Sequence, residues 1–569
     1  MKYRRIRFVF ASAWFVFALI LSARSAMTER WDRFVGDFLD HYFALNPDFA
    51  VFQGKHEYDG ILPDWSEAGI QNKVAWLEAS RTTALAYKDV DLDAAARFER
   101  DYLVAQIRRD LFWLKTADLP HRSPYFYADA LDPDIYLSRP YAPLATRLQA
   151  FLKYSRAVPA ALAQIKENLR GPQTKALLNI TRRSIGGLAD FYELDVPQVF
   201  DPELRGPVKD EFVRTNAAAT KAVREFTAWL GEREKTASTD FAYGPEKFRL
   251  MLQETEGVDL TLAELEEVGR KDLARNRQAI EAACALFAPG VPLREAVARA
   301  MAHKPEGGVV PYARLQLKKL EQFVRERNLV TVPGTEQALV AEAPAYRRWN
   351  FAYINIPGPY EKGLPSIYYV APPDPAWSTE KQRAYIPGVG NLQSTSVHEV
   401  WPGHFLQFLH ANRASSRIGR VFVGYSYAEG WAHYAEEMVF EAGLDDHSPE
   451  MVIGQLMKAL LRDVRFLSAI GLHTQGMTVA ESEKMFRDEA FSDEGTAEQQ
   501  ANRGTFDPAY LNYTLGKLMI RKLRADWTST RGGQTAWREF HDAFLSFGGP
   551  PIPLVRRAML GDGDHGSLF

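Results

Sequence analysis

The stretch HEVWPGH, residues 398–404, decides how the rest of this 569-residue chain is interpreted. It begins like the zinc-hydrolase pattern HExxH, in which two histidines one helical turn apart bind the same metal ion. Pro402 stands where the second histidine is expected, and a histidine follows only at position 404. The stretch is therefore a broken metal motif, a chance pair of histidines, or a different construction of the same site.

The spacing of the two histidines rules out an undistorted helix. Residues four apart in an α-helix differ by about 40° around its axis, whereas residues six apart differ by about 120°. Proline lacks an N–H group and clashes with the carbonyl four residues earlier, which here belongs to His398. Because Gly403 adds backbone freedom, we expect a kink or a π-type bulge at Pro402–Gly403 that turns His404 back towards His398.

The sequence around this stretch is rich in residues that bind metals. Four histidines and four glutamates lie close together: His398, His404, His410, His433, Glu399, Glu429, Glu436 and Glu437. A hydrolytic zinc site needs imidazoles and a carboxylate as ligands, a second carboxylate as proton acceptor, and a donor for the oxyanion. Glu429 and His433 lie one helical turn apart in a predicted helix, so either is a candidate third ligand.

Two motifs together resemble a known family. HEVWPGHFLQ (398–407) matches HExxPGHxxQ, and YAEGWAHYAEE (427–437) matches the signature EGWAxYxE. Both are typical of the bacterial family called domain of unknown function 885, which resembles helical zinc peptidases such as thimet oligopeptidase and the HExxH carboxypeptidases. The resemblance extends over roughly residues 29–555. The chain departs from the family pattern at Phe405, where a second histidine is common, and at His433, where an apolar residue is common.

The resemblance implies a zinc-dependent peptidase that cleaves short peptides through a metal-bound water and has a deep cleft. It implies one Zn²⁺ ion with the ligand set His398, His404 and Glu429. The other implied residues are Glu399 as general base, Tyr513 as partner of the oxyanion or leaving group, and Arg503 as partner of a substrate carboxylate.

Each of these residues also has an ordinary structural interpretation. A lone histidine near a helix break needs no metal, and Glu429 could form a helix cap or an ion pair. Tyr513 is one of 24 tyrosines, a residue type that often lies in the core. His410 lies beyond the next helical turn after His404, which suits a rim or core position. The metal-site hypothesis therefore depends on the two motifs together.

Composition excludes several classes of function. The formal net charge is −3, without the basic excess typical of nucleic-acid binding. Cys284 is the sole cysteine, so an intrachain disulfide and a cysteine-based metal site are both excluded. No GxSxG motif occurs, and Cys284 lies in an apolar predicted helix, so neither a serine nor a cysteine hydrolase is indicated.

Residues 1–26 read as a targeting segment. Basic residues precede an apolar run at 8–21, and small residues follow it. We expect a signal peptide and export to a bacterial periplasm, with an uncleaved membrane anchor as the alternative. No cysteine follows the run, so we expect no lipid anchor of the lipoprotein type.

The remaining pattern is mainly α-helical. We expect one α-rich catalytic domain, residues 27–569, and leave open two lobes at roughly 27–250 and 251–569. Aromatic and β-branched residues at 347–360 and 365–373 predict a small antiparallel β-sheet beside the helix that carries HEVWPGH.

Two alternatives to the peptidase remain. One is a zinc amidohydrolase that acts on a non-peptide or cell-wall amide with the same machinery. The other is a non-catalytic periplasmic peptide-binding protein of the same fold, which the intact Glu399 disfavours.

Overall fold

The computed structural model describes residues 27–344, 347–348, 351–561 and 566–569. The predicted targeting segment lies outside this part of the chain. The structure is mainly α-helical, as the sequence predicted. Across the described ranges, no helix combines the length and the apolar character that crossing a bilayer requires.

Amphipathic helices build the N-terminal part of the chain. Residues 27–45 form α1, which ends just before Pro47, where the proline was expected to stop it. The helices that follow are α2 (Pro47–Phe52), α3 (Glu67–Ala86), α4 (Ala94–Leu111), α5 (Leu119–Arg122), α6 (Asp134–Ser138), α7 (Leu144–Asn168), α8 (Lys175–Asp190), α9 (Val196–Phe200), α10 (Gly206–Arg233), α11 (Pro245–Glu256), α12 (Leu262–Phe287), α13 (Leu293–Ala302) and α14 (Val309–Glu326).

Three short strands interrupt the helices, and the chain then returns to helices up to residue 560. The strands are β1 (Ala338–Glu342), β2 (Ala352–Asn355) and β3 (Ser366–Val370). The C-terminal helices are α15 (Thr379–Tyr385), α16 (Val389–Glu399), α17 (His404–Ala411), α18 (Arg417–Val421), α19 (Tyr425–Glu441), α20 (Pro449–Thr474), α21 (Val479–Glu489), α22 (Glu494–Phe506), α23 (Asn512–Thr528), α24 (Trp537–Leu545) and α25 (Ile552–Leu560).

The sheet is mixed, so the prediction of an antiparallel sheet was wrong in part. Its order is β1–β3–β2; the predicted pair β2–β3 is antiparallel, but β1 runs parallel to β3. The sequence ALVAE of β1 is short and lacks the aromatic residues that marked the other two strands. β3 buries Tyr368 in the same hydrophobic core as Val397 of α16, so the sheet lies beside that helix, as expected.

The hydrophobic core beneath the predicted site is formed by the C-terminal helices. Trp431 of α19, Phe466 of α20 and Leu515 of α23 are fully buried there. The N-terminal helices α1 and α4 share a second core with Ile418 of α18, so the two ends of the chain pack together. The division into two lobes stays a prediction.

Candidate metal centre

The helix that begins the HEVWPGH motif stops inside it. α16 ends at Glu399, and α17 begins at His404. The prediction of a kink or π-type bulge was therefore wrong in degree, because the helix is interrupted completely. The amide of Gly403 donates to the carbonyl of Val397 at 3.0 Å, and a Cβ on Gly403 would lie 1.9 Å from the carbonyl oxygen of His398. Glycine is needed there because the chain folds back onto the end of its own helix.

A tryptophan from the second motif fixes this break. The indole Nε1 of Trp431 donates to the carbonyl of Pro402 at 2.8 Å, and the ring is fully buried. The hydrogen bond joins the two family motifs physically, since it connects α19 to the segment between α16 and α17.

The structure brings the three predicted ligands together. Nε2 of His398 lies 3.2 Å from Oε2 of Glu429, and Nε2 of His404 lies 3.5 Å from the same oxygen. The candidate ligand atoms of the three residues all lie within 4.8 Å of one another. Two ligands about 2.0–2.1 Å from a tetrahedral ion are themselves about 3.4 Å apart, so these separations suit zinc.

The hydrogen bonds of the two rings also fit a cation. Nδ1 of His398 donates to Oε1 of Glu436 at 2.7 Å, so in a neutral ring the lone pair of Nε2 faces the carboxylate of Glu429. Two electron-rich groups at that distance repel each other unless a positive charge lies between them. Nδ1 of His404 is buried and finds no hydrogen-bond partner among the described residues. A cation between Nε2 of His398, Nε2 of His404 and the carboxylate of Glu429 would remove this repulsion, although Nδ1 of His404 would stay unpaired within the described ranges.

Glu436 positions the ring of His398. It is fully buried and also accepts hydrogen bonds from Ser394 at 2.7 Å and from Arg462 at 2.9 Å. Burial raises its pKa, but the charge of Arg462 and the hydrogen bond from His398 outweigh this and lower the pKa to about 2. The permanent carboxylate fixes the tautomer of the ligand ring. The sequence did carry a signal for this role, because Glu436 lies two helical turns after Glu429 and therefore on the same helix face.

Glu399, the predicted general base, directly follows the first ligand and is half-buried. Burial raises its pKa to about 7; the charge of Glu429 adds to this rise, while His404 and Arg462 oppose it. A carboxylate with a pKa near neutrality can both accept and return a proton.

Tyr513 reaches the site from α23 through a close contact between two helices. A Cβ on Gly430 would lie 2.5 Å from the Cα of Gly516, so the backbones of α19 and α23 touch at these two glycines. The ring of Tyr513 lies 6.2 Å from that of His398, nearly parallel to it. Burial and the charge of Glu429 raise the pKa of Tyr513, which keeps its hydroxyl protonated as a donor.

Arg503, the predicted partner of a substrate carboxylate, already pairs with a carboxylate of the protein itself. Its Nε and Nη2 donate to Oδ2 of Asp507 at 2.9 and 2.8 Å, and Nη2 also donates to the hydroxyl of Tyr425 at 3.0 Å. Arg503 therefore lies near Tyr513 but with its charge largely compensated.

Three residues of the sequence cluster lie outside the converging group. His433 is fully buried, and neither ring nitrogen has a hydrogen-bond partner in the described part of the chain. Burial and the charge of Lys517 hold its pKa well below the usual range, so the ring is neutral. His410 donates to the carbonyl of Thr331 at 2.8 Å, and Glu437 binds Arg275.

A cavity of about 2460 Å³ adjoins the site. Among its lining residues are Tyr513, Tyr425, Arg503, Arg465 and Lys458. The three candidate ligands are not part of this lining, but the Tyr513 ring, which is, lies 6.2 Å from the ring of His398. The side chains of Glu429 and His404 remain 21% and 13% exposed, so the group is open to solvent.

Solved structures share this fold over nearly their whole length. A predicted lipoprotein of unknown function from Shewanella oneidensis has a TM-score of 0.77 and 24% identity, with 93% of this chain and 99% of that chain covered. For a predicted lipoprotein from Colwellia psychrerythraea the values are 0.80 and 16%, with 94% and 99% covered. No curated protein matches the chain. The model of the family of bacterial proteins of unknown function, DUF885, matches residues 47–559, and the chain belongs to this family, as its motifs predicted.

Proposed function

We propose that this chain is a zinc-dependent peptidase that hydrolyses peptide bonds of short peptides. The observation that carries the proposal is that two imidazole nitrogens lie 3.2 and 3.5 Å from one carboxylate oxygen of Glu429. Two histidines and one glutamate are the ligands of many catalytic zinc sites, which leave a fourth position open. Imidazole ligands favour zinc over magnesium or calcium.

The residues around this group supply the parts of a hydrolytic site. A bound zinc ion polarises the scissile carbonyl and makes water easier to deprotonate. Glu399 accepts the proton of the attacking water and returns it to the leaving amine. The hydroxyl of Tyr513 donates a hydrogen bond to the oxygen on which negative charge develops. Glu436 keeps the ring of His398 in the ligand orientation.

The cavity and the leader support a peptide substrate outside the cytoplasm. A volume of about 2460 Å³ exceeds the 300–1,000 Å³ typical of small-molecule pockets, so a peptide of several residues fits. The basic and apolar leader supports export, and the structural neighbours are predicted lipoproteins, which are exported proteins. We place the activity in the periplasm on these grounds.

Glu399→Gln tests the proposal. The zinc-loaded wild type should cleave peptides in a defined mixture followed by mass spectrometry, and a zinc chelator should stop it. Glu399→Gln should lower kcat by about 10³-fold while zinc content stays at that of the wild type. Glu498→Gln, which changes an exposed glutamate of the same cavity, should retain activity. A wild type that binds zinc but cleaves no peptide would overturn the proposal in favour of another amide substrate or of a binding protein.

A further inference from the structure

Three arginines lie beside the ring of Tyr513, and a lysine shares a helix face with two of them; we call these four residues the cationic wall. It consists of Lys458, Arg462, Arg465 and Arg503. The first three lie at positions i, i+4 and i+7 of α20, so they share one face of the helix. The guanidinium carbons of Arg465 and Arg462 lie 4.9 and 5.5 Å from the centre of the Tyr513 ring.

Among the described residues, only two members of the cationic wall form an ion pair. Arg462 pairs with Glu436, and Arg503 pairs with Asp507. Arg465 donates at 2.7 Å to Gln500, a neutral amide. Within the described ranges, neither Arg465 nor Lys458 has a carboxylate within 4.0 Å of its nitrogen atoms.

The uncompensated charge of Arg465 is buried. Its side chain is 8% exposed and lines the large cavity together with Lys458. A buried charge without an opposite charge is costly, so a cavity wall of this kind favours an anionic ligand. Burial and then Arg462 lower the pKa of Lys458 to about 8, although the carboxylates of Glu436 and Glu399 act in the opposite direction. Burial and then Arg503 lower the pKa of Arg465.

We propose that Arg465 and Lys458 bind the free C-terminal carboxylate of the substrate, so that the chain removes residues from the C-terminus of short peptides. This inference rests on the proposed function. Tyr513 lies near both sites: the guanidinium carbon of Arg465 is 4.9 Å from the centre of its ring, and the centre of the His398 ring is 6.2 Å from it. One extended residue spans about 3.3–3.6 Å, so a carboxylate held at Arg465 brings the last peptide bond towards the candidate ligands.

The chemistry is ordinary hydrolysis. One water is added across the last amide, its C–N bond breaks, and the proton removed from water goes to the leaving amine. The charge of the wall disfavours cleavage from the N-terminus, because it repels an N-terminal ammonium group. It also gives no advantage to cleavage inside a peptide, because an interior segment offers no negative charge. Because Asp507 already pairs with Arg503, the proposal places the carboxylate at Arg465 rather than at Arg503.

Binding tests the carboxylate site separately from catalysis. Zinc-loaded Glu399→Gln is titrated by calorimetry with an N-acetyl tripeptide as the free acid and as the C-terminal amide. We expect the acid to bind roughly 10- to 100-fold more tightly, the range for charge-assisted hydrogen bonds. Arg465→Gln in this background should remove the preference. Arg183→Gln should retain it, because Arg183 is an exposed arginine that lines the same cavity outside the wall.

Lys458→Met provides a second variant at a half-buried position if Arg465→Gln fails to fold by circular dichroism. It should lower the preference for the acid by roughly 3- to 10-fold. Equal binding of acid and amide, or an unchanged preference in the folded variants, overturns the inference. A wild type that cleaves acid and amide equally overturns it too, while the peptidase stands. Acid-selective binding that needs Arg465, with no hydrolysis in the wild type, supports the carboxylate site and overturns the proposed function alone.

Discussion

Two buried charged clusters lie on different faces of the same two helices, and only one of them calls for a ligand. The first is the metal group, made of His398, His404 and Glu429 with their supports. The second we call the closed network; it consists of Arg275, Asp272, Asp463, Glu437 and Lys517. Neighbouring residues divide between the clusters, Glu436 and Glu437 on α19 and Arg462 and Asp463 on α20, because successive helical residues point about 100° apart.

The charged carboxylates of the closed network both have cations beside them, and Arg521 also lies 3.2 Å from Glu437 and 3.9 Å from Asp272. Lys517 is fully buried and forms an ion pair with Asp272. Arg275 donates to both carboxylate oxygens of Glu437 at 2.9 and 3.0 Å. Burial and the charge of Asp272 raise the pKa of Asp463 well above its usual range, so that carboxyl is protonated and adds no charge. Its two charged carboxylates are therefore compensated within the protein.

The metal group, in contrast, has charges and lone pairs that no neighbouring group among the described residues compensates. Two imidazole nitrogens point at one carboxylate oxygen, and the nearby wall holds two cations without carboxylates in the described part of the chain. Burial of polar groups is common to both clusters. The uncompensated arrangement is what distinguishes a candidate binding site from a structural ion network.

The largest expected effect is the loss of bound zinc and of hydrolysis when a candidate ligand is removed. His398→Ala removes one of three protein ligands and leaves Glu436 without its partner. We expect bound zinc to disappear and peptide hydrolysis to fall by at least about 10³-fold, measured by metal analysis and peptide assay. His303→Ala, an exposed histidine paired with Glu450, is the control and should keep both. Equal zinc content in the two variants would remove the basis of the comparison.

Loss of Lys517 should affect stability instead. Lys517→Met leaves the carboxylates of Asp272 and Glu437 buried with less positive charge. We expect the free energy of unfolding to fall by about 3–5 kcal/mol in urea titrations, with the zinc content of the folded protein unchanged. A variant of normal stability that has lost zinc would show that the two clusters are not independent.

Adjacent glutamates offer the sharpest test of the division between the clusters. Glu436→Gln weakens the support of His398 and should lower zinc affinity by about 10- to 100-fold. Glu437→Gln alters the closed network and should leave zinc affinity as in the wild type. Competition with a chromophoric chelator measures both affinities. Similar losses in the two variants would contradict the assignment of their roles.

The smallest expected effect is the pH dependence contributed by Asp463. Its pKa is raised in the folded protein, so its contribution to stability is present below the unfolded pKa near 3.8 and is lost as pH rises towards the folded pKa. Relative to Asp463→Asn, the wild type should lose about 1 kcal/mol per pH unit above pH 4.5. Urea titrations at pH 5 and pH 7 measure this difference. A difference independent of pH would mean that the carboxyl is ionised in the fold.

Much of the candidate site could be predicted because its residues lie in two local motifs. Pro402 and Gly403 predicted a disruption of the helix, because their steric effects act locally. The disruption falls between His398 and His404, where it was expected. The complete break depends on the bond from Trp431, a contact across 29 residues that the pattern does not encode. Strand β1 was not predicted, because its sequence ALVAE becomes a strand only by pairing with β3.

The roles of charged side chains were harder to predict because they depend on which charges meet in space. The sequence gives no indication that Asp507 compensates Arg503 while Arg465 has only Gln500. The available signal was the spacing of Lys458, Arg462 and Arg465 on α20. It predicts a shared helix face, but not that Arg462 and Arg465 lie beside the Tyr513 ring.

Anomalous X-ray diffraction at the zinc absorption edge, from crystals of the purified protein, is the most direct test of the zinc site. We expect one peak, with Nε2 of His398, Nε2 of His404 and a carboxylate oxygen of Glu429 each about 2.0–2.2 Å away. Zinc-soaked crystals that show no peak between these three side chains, or that show them pointing apart, would contradict it.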